Sequence, residues 1–339
     1  YTNRHDDYVN QEGYVPTTYT RIREQNLAGY AQYSHPLPFG QANIGLRYEH
    51  VDFDYFENAT FVPGQSRVYD NIFPNISVNG QLGKVQFQVS YAAKTQRPNY
   101  SQLRNNITYA NRFTWQTGNP LLKPSVTHDI TAVGVWRFFQ AMVSYKVVRD
   151  YILYWGTQVE NQSATTLINY INHDRLPSLT VMLAASPTIG IWNLNASAIM
   201  MKQWFSLDAA GQKRTYNNPL FIGSLNNTFT LPAGFLLTAD FSYQSCGQVQ
   251  NITLKRPQYT LNIGLRKSFL NDALSIEARA NDLLLGCKQE ALLYMESAQM
   301  KDLSWSDTRS FSLTVRYKFN AAKSKYKGTG AGQDTINRM

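Results

Sequence analysis

The chain has 339 residues, is 43% hydrophobic and 16% charged, and carries a formal net charge of +9. The charged fraction lies below the ~25% usual for soluble domains, and no apolar run approaches the ~18 residues of a spanning helix. Lysines and arginines are spread along the whole length rather than gathered into a nucleic-acid-binding stripe, the one dense group being Lys323 to Gly328. Helical membrane spans are thereby excluded and a nucleic-acid partner is not expected, while a β-barrel, whose signal is a series of ~10-residue alternating segments, stays open.

In chain order, the first predicted strand lies near residues 20–35, followed by a turn at Pro36–Gly40 and by QANIGLRYEH (residues 41–50). KVQFQVSYAAK sets Val85, Phe87, Val89 and Tyr91 against Lys84, Gln86, Gln88 and Ser90. Residues 166–186 read as one long, bent strand, and IWNLNASAIM follows a turn at Pro187–Gly190. GFLLTADFSYQ sets Phe235, Leu237, Ala239, Phe241 and Tyr243 against Thr238, Asp240, Ser242 and Gln244. QYTLNIGLRKSF and ALSIEARAND repeat the pattern, and RSFSLTVRYKFN ends it, with Phe311, Leu313, Val315, Tyr317 and Phe319 opposed to Ser310, Ser312, Thr314, Arg316 and Lys318. A period of two is that of a strand, and no helical stripe of useful length interrupts the series.

The connections alternate in length. Short turns are predicted at Pro36–Gly40, Gln81–Gly83, Arg137–Gln140, Pro187–Gly190, Pro232–Gly234 and Asn271–Asp272, and long polar loops near 55–66, 96–124, 157–165, 205–216, 248–256 and 287–305. Short turns at one rim and long loops at the other are the habit of outer-membrane barrels. The count is 13 strands, the last descending to the periplasm; residues 1–10, read as the end of an upward strand, make it 14. Bacterial single-chain barrels have even strand numbers and no edges, so the chain is expected to be the C-terminal part of something larger.

Two solvents compete for the apolar faces. A soluble β-sandwich would bury them against each other. Here the opposite faces are rich in Ser, Thr, Asn and Gln with scattered charges, which suits a wet lumen, and Tyr48, Tyr91, Phe235, Tyr243, Tyr259, Phe269 and Phe319 fall near strand ends, as aromatic girdles do. A lysine or arginine at mid-bilayer on the lipid face costs roughly 2–4 kcal/mol. The expected fold is therefore an all-β, antiparallel transmembrane β-barrel, with Phe311, Leu313, Val315, Tyr317 and Phe319 of the last strand facing lipid.

Three stretches carry a family resemblance: Asn71–Leu103 with Thr117–Ile130, Asn26–Val51, and the ending from Ser312. Within them, Arg97-Pro98-x-Tyr100, Gly118-Asn119-Pro120-x-Leu122-x-Pro124 and the tail Lys325–Gly332 are the most specific parts. The chain resembles the barrel of TonB-dependent receptors, and more narrowly the Bacteroidetes outer-membrane β-barrel family with that organisation. The resemblance implies a barrel of about 22 strands, of which residues 1–320 are the wall and 321–339 a basic, Gly-rich periplasmic tail. It also implies residence in the outer membrane and insertion by the barrel-assembly machinery. The function it implies is energised uptake of a large nutrient (siderophore, cobalamin, haem or glycan) through the TonB complex, which acts on a plug that this chain does not contain. A passive pore or surface barrel without a plug is the alternative.

The motif residues Arg97, Pro98, Tyr100, Gly118, Asn119, Pro120 and Pro124 read mainly as structural: proline cannot donate to a ladder and ends the strand before it, and Gly-Asn-Pro turns the chain into the next strand. Aromatics in the long loops, namely Tyr100, Tyr109, Phe113 and Trp115, Trp204 and Phe205, and Tyr294 and Trp305, are the candidates for stacking on a small-molecule or oligosaccharide ligand; they also suit a girdle or loop-on-loop packing. His5, His35, His50, His128 and His173 show no metal or catalytic spacing, with His5-Asp6-Asp7 the nearest to a cluster, and no nucleophile elbow, HExxH or phosphate loop is present. No enzyme activity, metal or cofactor is expected. Cys246 and Cys287, both at the upper ends of upward strands, leave a disulfide between loops open.

Overall fold

The computed structural model describes residues 2–8, 18–111, 113–159, 162–270, 272–296 and 299–319. Among the described residues, fourteen strands of one 18-stranded sheet make the wall, the other four being short pieces in the connections: β1 Thr2–Tyr8, β2 Thr18–Leu37, β3 Gly40–Glu57, β4 Arg67–Leu82, β5 Val85–Gln96, β6 Ser125–Trp136 and β7 Phe139–Val159. The second half comprises β8 Gln162–Ala185, β9 Trp192–Gln203, β10 Leu220–Leu231, β11 Phe235–Gln244, β12 Gln258–Phe269, β13 Leu274–Asn281 and β14 Ser310–Tyr317. Each pairs antiparallel with the next in the chain, an uninterrupted meander from β1 to β14. Among the described residues β1 and β14 do not pair with each other. The expected first strand within residues 1–10 and the single long strand over 166–186 both hold. The tail 321–339 and the side chains of His5, Asp6 and Asp7 lie outside the described residues.

The register joins the alternating faces into one belt. Ile44 pairs with Tyr33 and Ile76, Ile76 with Tyr91, and Tyr91 with Ile130. The line continues through Tyr145 and Leu179, while further along Leu225 meets Phe241, Phe241 meets Leu261, and Leu265 meets Ala278. Phe311, Leu313, Val315 and Tyr317 join it opposite Ala280, Ala278, Ile276 and Leu274. Phe319, just past β14, is exposed. This is the face an outer-membrane wall turns to lipid.

The other face is polar and cross-linked from strand to strand. Ser144 and Thr131 donate to Asp129 at 2.9 and 2.8 Å, Ser197 meets Ser224 at 2.7 Å, and Ser242 meets Thr260 at 2.6 Å. These hydroxyl pairs satisfy polar groups that a shared apolar core would leave orphaned.

At one rim the strands reverse within a few residues. Gly83 and Gly190 take the left-handed φ values, 62° and 59°, that such tight reversals need, and a 3-10 turn, Pro232–Gly234, links β10 to β11. Outward aromatics cluster there: Trp136 stacks on Phe139 at 6.0 Å and Trp192 on Phe229 at 6.1 Å. Outward-facing Tyr91 and Tyr145 lie mid-way up the same face, and Tyr48, Tyr243 and Tyr259 somewhat farther toward the long connections.

At that opposite rim the connections are long and mostly folded. One expected loop is corrected. Residues 157–165 are not a long polar connection: β7 runs to Val159 and β8 starts at Gln162, so the strands continue beyond the wall as a hairpin. Their polar composition is that of strands standing clear of lipid, which a reading by polarity alone takes for a loop.

Candidate functional site

The mouth is built from the long connections, and the first of them organises it. After β5, Pro98 cannot extend the ladder; the chain makes one helical turn, Tyr100–Leu103, and a small hairpin, Thr108–Asn111 with Thr114–Gln116, before β6. Thr114–Gln116 then pairs in parallel with Thr166–Ile168 of β8. The segment 97–124 thus ties the β5–β6 corner to the β7–β8 hairpin.

Arg97, Tyr100, Gly118, Asn119 and Pro120 each have a contact in that arrangement. Arg97 bridges two carboxylates, Glu24 on β2 at 3.2 Å and Glu49 on β3, and Glu49 also takes Arg47 at 2.9 Å. Side-chain exposure is 15% for Arg97, 7% for Glu24 and 5% for Glu49, so the charges are paired because burying them alone would be prohibitive. At Gly118 a Cβ would come within 2.5 Å of the carbonyl oxygens of Gln102 and Arg104, which leaves room only for glycine. Asn119 donates its side-chain amide to the Tyr170 carbonyl at 2.8 Å and accepts from the Leu121 amide at 2.9 Å.

Arg67 at the head of β4 donates to the carbonyls of Pro120, Leu121 and Leu122. A charged hydrogen bond contributes roughly 1.5–3 kcal/mol and three on one guanidinium are not additive, so Arg67→Met is expected to cost about 2–3 kcal/mol, read as lost amide-exchange protection over residues 117–124.

Two apolar clusters complete the mouth. Ile22, Phe53 and Tyr55 of β2 and β3 pack with Tyr100, Leu103 and Leu122, and Ile152 and Tyr170 lie against them. The second cluster joins Leu153, Trp155 and Leu176 of the β7–β8 hairpin to Phe205, Ala209 and Tyr216 of a hairpin formed by Phe205–Ala209 and Gln212–Tyr216, with Tyr294 alongside. A four-stranded sheet, Gly247–Val249, Ile252–Leu254, Lys288–Tyr294 and Gln299–Trp305, lies next to it. Buried Asn251 donates to the Tyr154 carbonyl at 3.2 Å, and the Glu296 amide to the Gly156 carbonyl at 3.1 Å. The β7–β8 hairpin therefore has a cluster on each side, above an interruption of its ladder at Asp150 (φ 48°) and Asp174. The roof interior is dry enough that burial pushes the Tyr151 and Tyr216 phenols up to about 12.

His173 lies edge-on to Phe205, centroids 4.6 Å apart. Burial lowers its pKa from 6.5, partly opposed by Asp174. The packed roof therefore prefers neutral imidazole, and its stability is full above pH 6.5 and declines as pH falls from there toward the lowered value. Protection of the 205–216 amides, that is, exchange corrected for its intrinsic slowing toward low pH, is expected to fall between pH 7 and pH 5 in the wild type and to change less in His173→Phe.

The predicted ligand aromatics separate into buried and open groups. Tyr100 is corrected: only 3% exposed, it belongs to the first cluster and has no ring surface for a ligand. Its spacing two residues after Pro98 puts it on the helical turn that faces the wall, which composition alone does not show. Phe205 is likewise buried, while Trp204 is open. Tyr294 is half-buried, with Arg214 3.7 Å over its ring. Tyr109 (58% exposed), Phe113 and Trp305 (62%) remain open, and Trp115 is half-buried beside Tyr109 across the small hairpin. Tyr109 and Trp115 are together; Trp305 lies on a different hairpin. Cys246 and Cys287 are free thiols. Sequence reasoning missed Glu24, Glu49 and Arg67; the available signal was carboxylates on the apolar-flanked upper parts of two adjacent strands, with one arginine at the next strand's head.

A family model described as "Outer membrane protein beta-barrel family" matches residues 2–317. The chain belongs to that family. Among solved structures its fold is similar to the FrpB iron transporter from Neisseria meningitidis (F3-3 variant), with TM-score 0.55, 16% identity, and coverage of 90% of this chain and 46% of that one. The copper transporter OprC matches with TM-score 0.60, 11% identity, 93% of this chain and 52% of that one. The siderophore receptor PiuA from Acinetobacter baumannii matches with TM-score 0.55, 11% identity, 89% and 44%. No curated protein matches the chain. This barrel-family member thus spans about half the length of the structures it matches. The fold expectation holds.

Proposed function

We propose that the chain is wall and roof of an outer-membrane receptor that takes up a large nutrient by a TonB-driven mechanism. The short-turn rim and the C-terminus then face the periplasm. The observation that carries the reading is that the long connections are folded, those after β5 and β9 packing on the wall and the β7–β8 hairpin through two apolar clusters. A passive pore needs an open mouth, whereas a receptor needs a shaped outer surface above a lumen opened on demand. The fold similarity to iron and copper transporters and a siderophore receptor supports transport over catalysis.

In lipid, unpaired strand edges cost several kcal/mol per orphaned group. The edges of β1 and β14 are therefore completed by further strands toward about 22, around a plug that the TonB complex pulls. Siderophore, haem, cobalamin and glycan remain the candidate cargo classes, with Tyr109, Phe113, Trp115, Tyr294 and Trp305 the aromatic surfaces such a ligand meets.

Uptake by cells carrying the full-length protein tests the reading. Accumulation of one of these cargo classes should stop when the proton-motive force is collapsed; accumulation that persists, with a steady open conductance after reconstitution, favours the passive pore. Orientation is tested separately: Cys246, exposed on the roof side, should react with a membrane-impermeant maleimide on intact Cys287→Ala cells, and labelling only after lysis would reverse it.

A further inference from the structure

The belt carries an unusual pair at its upper edge. Arg149 of β7 and Arg175 of β8 are direct register partners, both exposed. They share the parity of Tyr145, Val147 and Leu179 and so point outward, away from Ser144, Lys146 and Asp129 on the polar face. Like charges directly opposite on neighbouring strands repel, and among the described residues neither guanidinium makes an ion pair. Lys202, opposite Leu179 on the same face, lies with its ammonium 5.6 Å from the Trp204 ring, which in turn lies 6.5 Å from Tyr145.

The height of the pair is fixed by counting. From Phe139, in the girdle at the short-turn rim, to Arg149 is ten residues along one strand, about 33 Å at ~3.3 Å per residue. A tilt of about 40° reduces this to about 25 Å, the height of a barrel's apolar band. The pair therefore stands at the headgroup level of the leaflet beyond the band, with apolar wall directly beneath it.

We propose that Arg149, Arg175 and Lys202 bind the phosphorylated headgroup of the outer leaflet's lipopolysaccharide. Paired guanidiniums present bidentate donors to phosphate oxygens, an anion between them relieves their repulsion, and basic clusters at headgroup level select anionic lipid. Acyl chains lie on Tyr145, Val143 and the wall below. This rests on the proposed orientation, in which the long-connection rim is extracellular.

The test is lipid retention. The full chain is extracted from outer membranes in mild detergent, washed, and its bound lipid A quantified per mole, for wild type, R149Q/R175Q and a control, K84Q/R137Q, that removes equal charge at the short-turn rim. All three are first checked for folding by heat-modifiable migration. Wild type and control should retain lipid A, and R149Q/R175Q should retain at least tenfold less. Equal retention in all three, or equal loss in both variants, overturns the proposal. Binding of wild type to phosphatidylglycerol vesicles as tightly as to lipid A vesicles also overturns it, because the site then reads charge alone. The Cys246 labelling above keeps a wrong orientation distinguishable: reversed labelling puts the pair in the periplasmic leaflet and overturns the proposal through its orientation, whereas equal lipid A retention with the proposed labelling overturns the site itself.

Discussion

Arg97→Gln is expected to loosen the whole β5–β6 connection. The substitution leaves Glu24 and Glu49 buried without the guanidinium that bridges them. Removing one partner of a buried ion pair costs roughly 3–5 kcal/mol, and the low end applies because Arg47 stays on Glu49. The loss should be local: segment 97–124 is held to the wall by this ion cluster, by Arg67 and by the packing of Tyr100, Leu103 and Leu122, while the ladders of β2 to β6 are untouched. Amide exchange over 97–124 should therefore accelerate while β4 keeps its protection. Neutralising the acids as well, in Arg97→Gln with Glu24→Gln and Glu49→Gln, should recover most of the loss, because the cost lies in the uncompensated charge. Unchanged exchange in Arg97→Gln alone would show that the cluster does not hold the segment.

Phe205→Ala should have a comparable effect on the other half of the roof. Phe205 is buried against its own ladder partner Tyr216 and among Leu153, Trp155 and Leu176, which come from the β7–β8 hairpin and share no ladder with it. Truncating a buried phenylalanine costs roughly 3–5 kcal/mol, the cavity included. Because the 205–216 hairpin is joined to the rest mainly through this cluster and the Ala210 contacts to Met295 and Glu296, it should detach before the wall unfolds. Protease cleavage within 205–216 of the membrane-embedded protein should rise by one to two orders of magnitude. Tyr109→Ala, at an open site, should change it by less than a factor of about three. Equal susceptibility of the two variants would mean that the roof is not held by its apolar clusters.

The wall was legible in the sequence because lipid imposes a simple rule on it. Each strand that crosses must alternate, and Phe311 to Tyr317 or Leu237 to Tyr243 do so without exception. The turns were equally plain, since Pro232-Ala233-Gly234 and Pro187–Gly190 carry their own backbone requirements. The roof was not legible, for a physical reason. Above the membrane no solvent enforces a period, so the polar stretch around Val159 and Gln162 looks like a loop although it is the tip of a hairpin. Tyr100 and Phe205 look like open aromatics although tertiary packing buries them. The motif around Arg97 and Gly118 pointed to the right segment and to a structural role, but its partners, Glu24, Glu49 and Tyr170, come from strands up to 73 residues away. Only the fold brings them together.

The central claim is that this chain is a transmembrane wall with one face in lipid, and β14 tests it most directly. With Cys246 and Cys287 replaced by alanine, single cysteines at positions 311 to 317 are spin-labelled in the membrane-embedded protein. Accessibility to lipid-soluble oxygen is then compared with accessibility to a water-soluble nickel chelate. Labels at Phe311, Leu313, Val315 and Tyr317 should favour oxygen and those at Ser312, Thr314 and Arg316 the chelate, alternating with a period of two. A uniform profile, or alternation of the opposite phase, would contradict the account.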